Sequence, residues 1–234
     1  MKRRRRQSVS HTAKCESVDA KRIVIVDDHP LFRKGLEQLI NSGDGFSICG
    51  EAESAAQAMD VLRKVKPDLA IVDISLPGTN GIELIKNIRA EFPRLPVLVL
   101  SMYDESLYAL RALRAGAQGY VMKQEALANV VNAIHEVFQG RPYLSPSMSA
   151  TVIAKFAQGP GDSNVSTVEQ LSDRELEIFE LIGKGQEIRA IAKMLHLSPK
   201  TVETHRAHIK EKLNLENARQ VARLAVQWVD QRDG

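Results

Sequence analysis

The chain has 234 residues, 44% hydrophobic and 26% charged, enough for one large or two small globular domains. No apolar run approaches the roughly 20 residues a membrane-spanning helix needs, and no apolar segment follows the basic start Met1–Arg6, so neither a membrane span nor a secretory leader is expected. The net charge of +3 hints at an anionic partner, but residues 1–19 hold six Lys or Arg against two Asp or Glu, so the excess lies in the leader and nucleic-acid contact depends on where charges point.

Residues 1–20 are polar, basic and without periodicity, the pattern of a disordered arm. Cys15 and Cys49 are too few for a disulfide framework and read as free thiols in a reducing cytoplasm. From Lys21 short apolar runs alternate with helical patterns. Strands are predicted at Ile23–Val26, Phe46–Glu51, Leu69–Val72, Pro96–Ser101 and Gln118–Met122. Helices are predicted at Pro30–Ile40, Ser54–Val65, Ile82–Glu91, Glu105–Ala115 and Glu125–Gln139. Ser54-x-x-Gln57 has the form of a capping box, and Gly116 marks a helix stop. Five strand–helix units in series predict a doubly wound α/β domain over residues 21–140, a five-stranded parallel sheet of flavodoxin-like type.

Residues 141–166 break this rhythm. They hold a short helical pattern, Pro146–Ala157, then the linker-like Gly159–Asn164. Residues 167–232 read as all-helical, with four helices. Ser172-x-x-Glu175 is a capping box, and Gly183 and Gly185 close the helix it opens. Glu187–Leu195 is the second helix. The tight connection His196–Pro199 leads to a third running to about Leu213, with Ser198 as N-cap and Pro199 in the first turn. Asn217-x-x-Gln220 opens a fourth, reaching Trp228.

The chemistry concentrates where predicted strands end. Asp27 and Asp28 follow the first strand and Asp73 ends the third. Strands one and three of such a sheet are neighbours, so three carboxylates converge, and they repel unless a cation intervenes. A hard divalent ion with oxygen ligands, Mg²⁺, fits best and suits phosphoryl transfer. Ser101 and Lys123, at the ends of strands four and five, add a hydroxyl and an ammonium able to contact a phosphoryl oxygen. His29 beside the carboxylates reads as a loop residue rather than a ligand.

In the third C-terminal helix, Val202, Ile209 and Leu213 form a buried seam with His205 nearby. The opposite side carries Lys200, Glu203, Thr204, Ala207, Lys210 and Glu211, with Thr201 and Arg206 alongside. Lys200, Arg206 and Lys210 are suited to phosphates, Glu203 to a cytosine amine and Thr204 to a thymine methyl. With the preceding short helix and turn, this reads as a helix-turn-helix.

Val26-Asp-Asp-His-Pro30, Val72-Asp-Ile-Ser-Leu-Pro-Gly78, Leu100-Ser-Met102 and Gly119-Tyr-Val-Met-Lys123 resemble the signature positions of the receiver domains of two-component response regulators. The resemblance implies that Asp73 accepts a phosphoryl group from a sensor histidine kinase. It implies a Mg²⁺ held by Asp28, Asp73 and the backbone carbonyl of Ser75, with Asp27 acting through water. Ser101 and Tyr120 become a switch pair, in which Tyr120 rotates inward on phosphorylation, and Lys123 the phosphate-sensing cation. Gln124 stands where many receivers carry Pro. Leu171-Ser-Asp-Arg-Glu175, Ile188–Leu195 and Ser198–Arg206 resemble a LuxR-type helix-turn-helix. Together the halves resemble the NarL/FixJ family, implying a cytoplasmic transcription factor that dimerises when phosphorylated, binds inverted-repeat promoter DNA, has no membrane partner and is not an enzyme. An aspartyl-phosphate phosphatase is disfavoured because Asp73-Ile74-Ser75 lacks the second carboxylate of an Asp-x-Asp pair.

Overall fold

The computed structural model describes residues 20–43, 45–157 and 167–233. The expected basic arm, apart from Ala20, and the whole Gly159–Asn164 linker lie outside them. The first half is a five-stranded, wholly parallel sheet in the order β2-β1-β3-β4-β5. Its strands are β1 (Lys21–Val26), β2 (Phe46–Ala52), β3 (Leu69–Asp73), β4 (Val97–Ser101) and β5 (Gly119–Met122). The intervening helices are α1 (Pro30–Ser42), α2 (Ala55–Val65), α3 (Gly81–Glu91), α4 (Glu105–Ala115) and α5 (Ala126–Phe138).

The central strands β3 and β4 are buried at every position, which explains their unbroken apolar runs. Side chains alternate between two cores. Ala70 and Val72 of β3 pack under α2, α3 and α4, while Leu69 and Ile71 face α1 and α5 through Leu36, Val130 and Ile134. Each fully buried Leu, Ile or Val contributes roughly 1.5–3 kcal/mol.

Local signals act largely as read, with two differences. Ser54 accepts from Gln57 N at 3.4 Å, but Gln57 Oε1 takes Glu53 N rather than the N-cap amide, so that capping box is only half formed. Gly116 closes α4 at φ 113°, a conformation that favours glycine. A 3-10 turn, Lys123–Glu125, separates β5 from α5, which therefore starts one residue later than its sequence pattern.

Beyond α5, Tyr143 bridges to Gly119 at the sheet edge, and α6 (Pro146–Ala157) follows. The second half holds α7 (Asp173–Gly183), α8 (Ile188–Met194), α9 (Pro199–Lys212) and α10 (Ala218–Asp233) around Phe179, Val202, Ile209, Val221 and Ala225. Ser172 and Glu175 form the full reciprocal capping box of α7. The last helix runs five residues past Trp228, because Val229 is also buried and keeps the apolar face going.

Candidate functional site

The parallel register assembles the site. Val26 pairs with Val72, so Asp27, the next residue after β1, lies alongside Asp73. Asp73 pairs with Leu100, and Ser101 with Met122, so Ser101 and Lys123 emerge at the same end of the sheet. Asp27, Asp73 and Ser101 are buried at 2%, 1% and 0% exposure. Lys123 Nζ lies 2.6 Å from Asp73 Oδ2 and 2.7 Å from Asp27 Oδ2, and over the Phe32 ring.

One lysine for two carboxylates leaves the pocket short of positive charge. Burial pushes the Asp73 carboxyl up to about 6, against the pull of Lys123 and with the push of Asp27. For Lys123, burial pulls downward, but the two acids outweigh it and hold the ammonium above its ordinary value.

The residues fit a hard cation. Asp27, Asp28, His29 and Asp73 bring ligand atoms within 4.8 Å of one another. Asp28 Oδ1 is buried with no hydrogen-bond partner. His29 Nδ1 lies 2.8 Å from it without making a hydrogen bond to it. A buried acceptor without a donor is costly unless something occupies its lone pair. His29 is the N-cap residue of α1, and its imidazole lies against both acids that follow the first strand.

Ser101, Tyr103 and Tyr120 form a linked group. Ser101 Oγ accepts from Tyr103 N at 3.0 Å, and the Tyr120 hydroxyl donates to Tyr103 O at 2.8 Å. Tyr120 is 1% exposed, so its ring already points inward. The inward orientation expected on phosphorylation is thus the one present here: the ring fills core space and its hydroxyl has a partner there.

In the helical half, Lys200, Glu203, Thr204 and Ala207 are exposed along α9, with Thr201, Arg206 and Lys210 half-exposed. Arg206 is held by Glu203 at 2.5 Å. Val202, Ile209 and Leu213 are buried beneath them. His205 is half-buried, and burial lowers its pKa. Lys212 and the capping box together lower Glu175, against the upward push of its burial.

Sequence reading missed how the halves meet. α7 presents Asp173, Glu177 and Glu180 to the sheet domain. Asp173 takes Arg111 at 3.0 Å and Lys86 at 3.2 Å. Glu177, wholly buried, accepts from Asn80 Nδ2 at 3.1 Å, from Arg174 at 2.6 Å and from the Tyr103 hydroxyl. Glu180 accepts from the Tyr108 hydroxyl at 3.2 Å. Burial and Glu177 hold the Tyr103 phenol well above its ordinary pKa. The i, i+4, i+7 acidic stripe was visible in sequence, but nothing there identified its partner. His196, at φ 53° in the turn before α9, also brings Nε2 to 3.9 Å from Asp28.

Residues 23–135 match the family described as response regulator receiver domain, and residues 169–225 that described as bacterial regulatory proteins, luxR family. The chain is 36% identical over 205 residues to the response regulator GacA of Pseudomonas viridiflava, covering 88% of this chain and 95% of that one. It is 35% identical over 209 residues to the oxygen regulatory protein NreC of Staphylococcus carnosus (strain TM300), covering 88% and 96%. Among solved structures it is similar to RcsB of Salmonella enterica serovar Typhimurium bound to promoter rprA with the phosphomimetic BeF3-, at 28% identity and TM-score 0.58 over 87% of this chain and 97% of that one. The paired domains, in this order and over nearly the full length of these relatives, place the chain in the NarL/FixJ family of transcription-regulating response regulators.

Proposed function

We propose that this chain is a cytoplasmic regulator, not an enzyme, switched by transfer of a phosphoryl group from a sensor histidine kinase to Asp73. A carboxylate oxygen of Asp73 attacks the phosphorus of a phosphohistidine. The new P–O bond forms as the P–N bond breaks, and the departing imidazole takes up a proton. Asp28, Asp73 and the Ser75 carbonyl would hold a Mg²⁺, with Asp27 acting through water, and when bound the ion would neutralise charge on the phosphoryl oxygens. Lys123 shifts its contact from Asp27 to a phosphoryl oxygen, and the Ser101 hydroxyl donates to another. Tyr120 completes the switch pair. We assign the receiver to residues 21–140, a linker to 141–166, the DNA-binding domain to 167–232 and a basic arm to 1–20.

The phosphorylated form pairs as a homodimer on inverted-repeat promoter sites. Lys200, Arg206 and Lys210 contact phosphates, while Thr201, Glu203, Thr204 and Ala207 meet the groove. The observation that carries this reading is the overloaded pocket, where a buried Asp73 raised to about 6 sits beside an Asp28 oxygen that lacks a donor.

The test is Asp73→Asn with acetyl phosphate and Mg²⁺. The wild type gains one phosphoryl group by intact mass and the variant none; a variant that still gained it would relocate the acceptor.

A further inference from the structure

The described residues bury a second group of carboxylates, and it lies between the two domains. Asp173, Glu177 and Glu180 form one stripe of α7, and each takes a donor from the receiver: Arg111 and Lys86, Asn80 and Tyr103, and Tyr108. A buried carboxylate is tolerated only while its lone pairs are filled. Losing one donor to Glu177 therefore weakens the docking of the whole helix.

One of those donors is wired to the acidic pocket. The Tyr103 amide is held by Ser101 Oγ, its carbonyl by the Tyr120 hydroxyl and its own hydroxyl by Glu177. Its ring stacks on Tyr108, centroids 4.7 Å apart, whose hydroxyl meets Glu180. We propose that Tyr103 is the positioning residue that transmits the state of the Asp73 pocket to the DNA-binding domain: its main chain reads Ser101 and Tyr120, and its phenol holds or frees Glu177. This rests on the phosphoacceptor reading given above.

When Ser101 Oγ turns to a phosphoryl oxygen, it no longer accepts from Tyr103 N, and the loop carrying the phenol is free to shift. Glu177 keeps Asn80 and Arg174 but loses its third donor. A hydrogen bond to a charged acceptor is worth roughly tenfold or more in an equilibrium, here the one between docked and undocked domains. Docking also holds His196, in the turn leading into α9, beside Asp28, so release of α7 carries the N-terminal end of the reading helix away from the receiver's carboxylates.

The single tryptophan supplies the readout. Half-buried Trp228 of α10 lines a cleft of about 780 Å³ with Leu107, Leu110 and Arg111 of α4, so undocking is expected to raise its exposure. The experiment measures Trp228 emission and acrylamide quenching in the full chain before and after acetyl phosphate with Mg²⁺, with phosphate incorporation followed by mass. Wild type is expected to start protected and to red-shift on phosphorylation. Tyr103→Phe keeps the stacked ring but removes the hydroxyl; it should start red-shifted, incorporate phosphate normally and change little afterwards. Glu177→Gln should behave similarly. Tyr108→Phe removes a docking contact that Ser101 and Tyr120 do not hold, so it should raise the starting exposure yet keep the phosphate-dependent increment. A Tyr103→Phe protein that starts protected, or that retains the wild-type increment, overturns the proposal. A wild type that gains no phosphate overturns the acceptor reading instead, and the mass measurement distinguishes the two.

Discussion

Asp73 and Glu177 are both buried carboxylates, and the fold treats them in opposite ways. Asp73 shares a single lysine with Asp27, burial pushes it up to about 6, and an oxygen of neighbouring Asp28 has no donor. Glu177 is equally buried but receives an amide, a guanidinium and a phenol. The first arrangement is incomplete and calls for a ligand. The second is saturated and holds two domains together. Burial alone does not identify a reactive acid; the shortfall in donors does.

The comparison breaks hardest at Lys123. Lys123→Met removes the cation that bridges two acids while keeping most of the apolar stem. In the absence of divalent ions it is expected to destabilise the receiver by about 3–5 kcal/mol, measured by urea unfolding. A loss under 1 kcal/mol would mean that the carboxylates are not burdened as described.

Asp73→Asn should act the other way. The folded carboxyl titrates near 6 and its ordinary value is 3.8, so the group contributes stability below pH 3.8 and loses it as pH rises to about 6. Above that pH, with metal chelated, the Asn variant is expected to exceed the wild type by up to about 3 kcal/mol, and the gap should close toward pH 4. The unfolding midpoints of both proteins in EDTA across this range give the check. A gap that widened toward acid would reverse the sign of the assignment.

The smallest stability effect belongs to a charge left in water. Lys200→Ala on α9 should change stability by less than about 0.5 kcal/mol yet flatten the salt dependence of DNA binding by roughly one unit of slope. An unchanged slope would remove Lys200 from the phosphate contacts.

What could be read in sequence follows the range of the interaction. Strand runs, the Gly116 stop and the Ser172–Glu175 box are local, and the structure reproduces them. The convergence of Asp27, Asp28, Asp73, Ser101 and Lys123 was also accessible, because parallel topology forces strand ends together. Two features were not legible: the inward Tyr120 and the saturation of Glu177 by Asn80 and Tyr103. These depend on partners 17 to 97 residues away whose approach only the packed chain defines. The last helix also runs past its expected end at Trp228 to Asp233, and buried Val229 continues its apolar face.

Gly81, the first residue of α3, lies so close to the end of β3 that a Cβ there would stand 2.1 Å from the Asp73 carbonyl oxygen and 2.6 Å from Ile74 Cα. Not even a methyl group fits against those backbone atoms. Position 81 therefore admits no side chain. The start of the third helix is thus tied closely to the end of the strand that carries Asp73, and a shift of either is expected to carry Asn80, and with it the grip on Glu177.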